Sequence, residues 1–108
     1  MKEVRLFVDP ENVGRVMNAM ADVGVTGFYA IEYRGVAPDR WAGFEIREDP
    51  ESAIKALNDL SERAVMIVTV VPEECVEKLK DAVAERLAGE RYTTIVTDVE
   101  EIHVEYGR

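Results

Sequence analysis

Apolar and polar positions alternate at the start of the chain, with Val4, Leu6 and Val8 on one side and Arg5 and Phe7 on the other. A period of two predicts a strand over 3–8. Asp9-Pro10-Glu11 then carries the marks of a helix start: a cap acceptor, a proline in the first turn and an acid at the positive end of the dipole. Val13, Val16, Met17 and Met20 recur at helical spacing, and Gly24 stands where a left-handed C-terminal residue is expected. A second strand is predicted from Val25 to about Gly35, with Tyr29, Ile31 and Tyr33 on one face and Phe28, Ala30 and Glu32 on the other. Residues 36–43 have no periodicity and read as a loop, followed by a short extended stretch from Phe44 to Arg47.

The same grammar returns in the second half. Asp49-Pro50 starts a short helix to Glu62 with Ala53, Ile54, Leu57 and Leu60 as its apolar stripe. Ala64–Val71 is almost wholly apolar, which predicts a central strand buried on both faces. Pro72-Glu73-Glu74 opens a third helix with Val76, Leu79, Val83 and Leu87 inward and Gly89 beyond its end. Two further extended stretches, Tyr92–Thr97 and Ile102–Tyr106, complete the chain. Strand, proline-started helix, glycine and strand thus occur at 3–34 and again at 64–98. The pattern predicts one α+β domain over 1–108, a ferredoxin-like βαβ-βαβ sandwich with right-handed crossovers. A short helix is inserted between the halves, and an extra C-terminal strand follows them. Apolar side chains on both faces of the second strand predict that a second subunit covers the open face of the sheet.

The charge narrows what such a domain does. Thirteen Lys and Arg against 22 Asp and Glu leave a net charge of −9 across 108 residues. Nucleic acid and anionic membranes need clustered basic groups, so neither is expected as a partner. No apolar run approaches the roughly 20 residues that cross a bilayer, so no membrane insertion is expected. The opening Met1-Lys2-Glu3-Val4-Arg5 lacks the apolar core of a signal peptide, and the expected location is the cytoplasm. One cysteine, Cys75, excludes an internal disulfide, and one histidine, His103, leaves little for zinc chemistry within a chain. No nucleophile elbow, phosphate loop or HExxH string is present, so the reading is non-enzymatic, with no catalytic or metal residue nominated.

Three strings resemble the nitrogen regulatory protein PII family. Gly24-Val25-Thr26-Gly27-Phe28-Tyr29-Ala30-Ile31-Glu32-Tyr33-Arg34-Gly35 is similar to that family's second-strand motif, a G-[IV]-x-G segment leading to a turn into a mobile T-loop. Lys2, the short first strand and a proline two residues after Val8 resemble its opening, and Val96-Thr97-Asp98-Val99-Glu100-Glu101-Ile102 resembles the stretch before its last strand. The resemblance implies a homotrimer that senses a small molecule in clefts between subunits and reports by moving a loop onto a protein target. By motif position, Phe7, Tyr29, Gly35, Val36, Val68, Thr69 and Val70 would line the cleft. Gly89 and Arg91 would join them from the stretch that holds the family's phosphate loop. The reporting loop would be 36–48, with Arg34, Asp39, Arg40 and Trp41 contacting the target.

This chain departs from the family pattern where phosphate is held. Leu87–Thr94 is shorter than the glycine-rich loop, with one glycine and no lysine, and Glu105 stands where the family has arginine. Successive backbone N–H groups and a lysine are what grip a polyphosphate, so ATP binding of the PII kind is not expected, and the effector is left open. Trp41 has two readings: packing on the neighbouring helix through Leu57 or on the next subunit, or contacting a ligand or partner with Arg34 and Arg40 as anion anchors. Two other functions stay open. One is a divalent-metal-binding trimer of the CutA type, with His103 near Glu101 and Glu105; the other is a ligand-free scaffold domain.

Overall fold

The computed structural model describes residues 1–107. Its elements run β1 (Lys2–Val8), a 3-10 turn (Pro10–Asn12), α1 (Val13–Asp22), β2 (Tyr29–Gly35), α2 (Pro50–Leu60), β3 (Glu62–Val71), a second 3-10 turn (Glu73–Cys75), α3 (Val76–Arg86) and β4 (Tyr92–Asp98). The four strands form one sheet in the order β2-β3-β1-β4. All three pairings are antiparallel, and Leu6 lies opposite Ile67 on one side and Thr94 on the other. Two βαβ units are thereby interleaved, which is the ferredoxin-like arrangement.

The period-two pattern assigns the two faces. Val4, Leu6 and Val8 of β1 and Val65, Ile67 and Val71 of β3 are buried on the side that α1 and α3 cover. Val16, Ala19 and Met20 of α1 and Val76, Leu79 and Val83 of α3 complete that core, with Leu87 closing it after the helix. Burying a side chain of this size contributes roughly 1.5–3 kcal/mol, so this layer holds the domain together. Arg86 adds a two-pronged contact to Asp22 at 2.8 and 3.1 Å, joining the ends of α3 and α1. Gly24 and Gly89, both at φ of +81°, turn the chain out of these helices in a conformation that side chains resist.

Four local expectations are corrected. β2 begins at Tyr29, not Val25, because residues 25–28 bond elsewhere: Val25 N–H donates to Met20 O at 3.0 Å, and Gly27 O accepts from the Thr69 hydroxyl at 2.6 Å. Phe44–Arg47 forms no strand: it lies in the segment between β2 and α2 and pairs with none of the four strands. Ile102–Tyr106 is likewise not a strand. The β1–β4 side of the sheet gains only one more backbone bond, Val99 N–H to Met1 O at 3.2 Å, and the alternating side chains beyond it stay exposed. Asp9 makes no side-chain cap; its carboxylate is drawn to Arg91 instead.

The inserted helix is where the architecture is unusual. α2 has no buried residue, although its apolar stripe is as regular as that of α1. Residues 36–61 project from the sheet as an arm, and the chain has extents of 48 × 38 × 22 Å and a radius of gyration of 17.0 Å. A compact domain of about 100 residues has a radius near 13 Å, so the arm accounts for a molecule longer than its core requires.

Candidate functional site

Antiparallel pairing brings four strand ends to one end of the sheet: the last residues of β1 and β2 and the first of β3 and β4. They enclose a cleft of about 450 Å³. Phe7, Tyr33, Val36 and Ile95 supply its apolar surface, and Asp9, Glu62, Arg63 and Arg91 its charge. Phe7 and Tyr33 reach over β3 and meet edge to face, with ring centroids 6.2 Å apart and planes at 88°. Such a pair contributes roughly 0.5–1.5 kcal/mol beyond the area it buries. Burial, and secondarily the carboxylate of Asp9, push the Tyr33 phenol above its ordinary pKa. It therefore stays protonated near neutral pH and remains a hydrogen-bond donor.

Gly35 makes room for that ring. A β-carbon at this position would lie 2.9 Å from Cε2 of Tyr33, closer than real contacts allow. The glycine is thus a requirement of close approach, and its backbone forms part of the cleft wall.

The charged groups form a chain that leaves the cleft and enters the arm. Arg91 donates to both Asp9 oxygens, at 3.1 and 3.3 Å, and also to Glu62. Its hydrogen bond to Asp9, then that to Glu62, holds the guanidinium charge even more firmly than usual. Glu62 in turn faces Arg40 of the arm at 3.8 Å. Arg40 and Arg34 converge on the last turn of α2, where carbonyls lack partners within the helix. Arg34 donates to the Ser61 hydroxyl at 2.9 Å and to Asn58 O at 3.4 Å, and Arg40 to Asp59 O at 3.4 Å. Two cations at the negative end of a helix dipole are favourably placed. At the other end, the Asp49 carboxylate accepts from Ser52 N–H at 3.0 Å, and this bond with Ser52 holds the carboxyl below its ordinary pKa.

The structure gathers Phe7, Gly35, Val36 and Arg91 in the cleft wall. Tyr29, Val68 and Val70 lie on the same open sheet face but outside the wall of this cleft. Thr69 faces the helices and bonds Gly27 O. Gly89 sits in the turn between α3 and β4, away from the lining. Arg34 lies at the end of β2, just before the arm. Asp39, Arg40 and Trp41 follow one another in its loop, with Arg40 reaching back to Glu62 and the last turn of α2. Trp41 Nε1–H donates to Phe44 O at 2.9 Å, and the two rings meet edge on at 6.4 Å. Asp9, Glu62 and Arg63 of the cleft are missed by the sequence reading. Asp9 looks like a helix cap, and β3 begins two residues before the apolar run that announces it. Among the described residues, no three His, Cys, Asp or Glu side chains are placed to hold a metal ion. No described helix is long and apolar enough to cross a membrane.

A strand-end cleft joined to a projecting arm can be set beside known proteins. Residues 1–106 match a family described as an uncharacterized homolog of nitrogen regulatory protein PII. The chain belongs to this family. It is 50% identical over 101 residues to an uncharacterized protein of Methanothermobacter thermautotrophicus, covering 94% of this chain and 67% of that one. An uncharacterized protein in the radB 5′ region of Methanococcus maripaludis is 44% identical over 92 residues, with 85% and 84% covered. One from Methanocaldococcus jannaschii is 44% identical over 99 residues, with 92% of each chain covered. The PII homologues thus include chains of similar extent, and the ferredoxin-like sheet found here agrees with that membership.

Proposed function

We propose that this protein is a homotrimeric regulator of the PII type, without catalytic activity, that senses a small effector at the strand-end cleft. It reports occupancy through residues 36–48 and α2. One observation carries the reading: the cleft and the root of the arm share Glu62. That carboxylate faces Arg91 inside the cleft and Arg40 outside it. A ligand that takes Arg91 from Glu62 leaves Glu62 to Arg40 and changes how the arm is held. Differential affinity of this kind is what lets a ligand shift a conformational balance.

The trimer is supported by the uncovered face of the sheet. A sheet with helices on one side ordinarily offers polar side chains to water on the other. Here Tyr29 and Ile31 of β2 are 56% and 45% exposed at one edge of that face, and Ile95 of β4 is exposed at the other. Exposed aromatic and aliphatic side chains on a sheet face favour an interface, and neighbouring subunits packed on it would close the cleft from the side.

The effector is small, with an apolar or aromatic part against Phe7 and Tyr33 and a single anionic group for Arg91. A polyphosphate would have to displace both Asp9 and Glu62 and would find no glycine-rich loop. The test is a thermal-shift screen of adenine nucleotides, cyclic nucleotides, 2-oxo acids and divalent metals. A ligand at about 100 times its dissociation constant stabilises by roughly 2.7 kcal/mol. The reading requires a small molecule with a single anionic group to give this shift and Arg91→Ala or Tyr33→Ala to remove it. No shift with any small molecule, or a shift insensitive to both substitutions, sinks it.

A further inference from the structure

The arm carries a second concave surface, which shares Val36 with the strand-end cleft and is otherwise lined by other residues. Val36, Trp41, Ile46, Ala56, Leu57 and Leu60 line a groove of about 250 Å³ between α2 and the loop before it. Its lining is apolar throughout, and further apolar side chains stand beside it, with Ile54 57% and Phe44 52% exposed. The volume suits one or two large side chains entering from outside.

Charge selects what enters. Residues 36–61 hold six acids (Asp39, Glu45, Glu48, Asp49, Glu51 and Asp59) and three bases (Arg40, Arg47 and Lys55), for a net charge of −3. All three bases are already engaged: Arg40 with Glu62, Arg47 with Asp49 and Lys55 with Asp59. Among the described residues, no basic group lies within ion-pair distance of Asp39, Glu45, Glu48 or Glu51. The groove is therefore apolar, carried on an arm with an unneutralised acidic surface. Two such arms repel each other, which disfavours a second copy as occupant, and the same acids disfavour an anionic lipid surface.

We infer that the groove receives a basic amphipathic helix of a partner protein. One or two of its apolar side chains would enter between Trp41 and Leu57, and its Lys or Arg side chains would face the free acids. Helix-in-groove docking uses this division, with apolar anchors for affinity and charge for selection. The inference rests on the proposed role of the arm as the reporting element, and it names the chemistry of the target.

Trp41 is the sole tryptophan, and it lies in the groove, so its emission reports docking on the intact protein. The probe is a synthetic amphipathic helix of leucine and lysine. Its controls are a leucine–glutamate peptide of the same pattern and a lysine–serine peptide of equal charge. The leucine–lysine peptide alone shifts Trp41 emission to shorter wavelength, and added salt weakens it. Leu57→Glu or Ile54→Glu abolishes the shift, and the pair Glu48→Lys and Glu51→Lys weakens binding about tenfold. Equal response to the acidic peptide, response to the lysine–serine control, indifference to both apolar substitutions, or no response at all overturns the inference. Leu57→Glu leaves the thermal shift from a cleft ligand in place. Failure of the groove and failure of the cleft are therefore read separately.

Discussion

The chain starts two helices with the same dipeptide, Asp9-Pro10 and Asp49-Pro50, and gives them opposite surroundings. Behind the first, α1 buries Val16, Ala19 and Met20 against the sheet and α3. Behind the second, α2 buries nothing and is held at its ends by hydrogen bonds, from Ser52 N–H to Asp49 and from Arg34 and Arg40 to its last turn. A helix in a folded domain is stabilised mostly by packing its apolar face. One that relies on end contacts opens more readily, as binding and reporting segments do. The difference separates a layer that maintains the fold from an arm that contributes little to it.

The largest expected contrast comes from truncating one leucine in each region. Leu79→Ala, in the buried core, should lower unfolding free energy by about 2–5 kcal/mol in denaturant titration. Leu57→Ala, at a residue 49% exposed, should stay within about 0.5 kcal/mol. Equal losses would mean that α2 packs on the core in solution.

A smaller effect should isolate the arm. Arg34→Ala removes the bonds to Ser61 and Asn58, and should lower hydrogen-exchange protection of α2 by the equivalent of about 1 kcal/mol. Exchange of β1 should not change. Loss of protection in β1 as well would show that arm and sheet unfold as one unit.

The smallest contrast concerns surface charge on the sheet. Lys2 hydrogen-bonds Asp98 across β1 and β4, which holds the Asp98 carboxyl below its ordinary pKa and raises the Lys2 ammonium. A depressed acid contributes above its unfolded value, near about 3.9, and the contribution fades as pH falls through the lower folded value. A raised lysine contributes below about 10.4 and loses its contribution as pH rises through the higher folded value. Asp98→Asn should therefore flatten the acid limb of the stability profile slightly and leave the arm's helix signal alone. An unchanged acid limb would show that the pair does not form.

The sequence made the core legible because burial there repeats with the period of each element. Val4, Leu6 and Val8 announced β1, and Leu79 and Val83 announced α3, as each faces the same layer. The second-strand string from Gly24 to Gly35 pointed to the family for a different reason, since it preserves a particular order of residues. The cleft was only partly legible. Phe7, Gly35, Val36 and Arg91 could be placed by resemblance. Asp9 and Glu62 could not, because their partner Arg91 lies far along the chain and local pattern carries no trace of it. The stripe of α2 announced its helix, but not that it lies uncovered: periodicity shows that a helix has an apolar face but not what covers it. The alternation at Ile102–Tyr106 did mislead, since alternation describes a strand's faces and not whether its backbone pairs with a sheet edge.

Assembly through the open sheet face tests the central claim most directly, because the proposed sensing clefts lie between subunits. Light scattering on the purified protein should give three times the 12.1 kDa of one chain, and Ile31→Glu should reduce this to a folded monomer. A wild-type protein that stays monomeric across a wide concentration range would contradict the account.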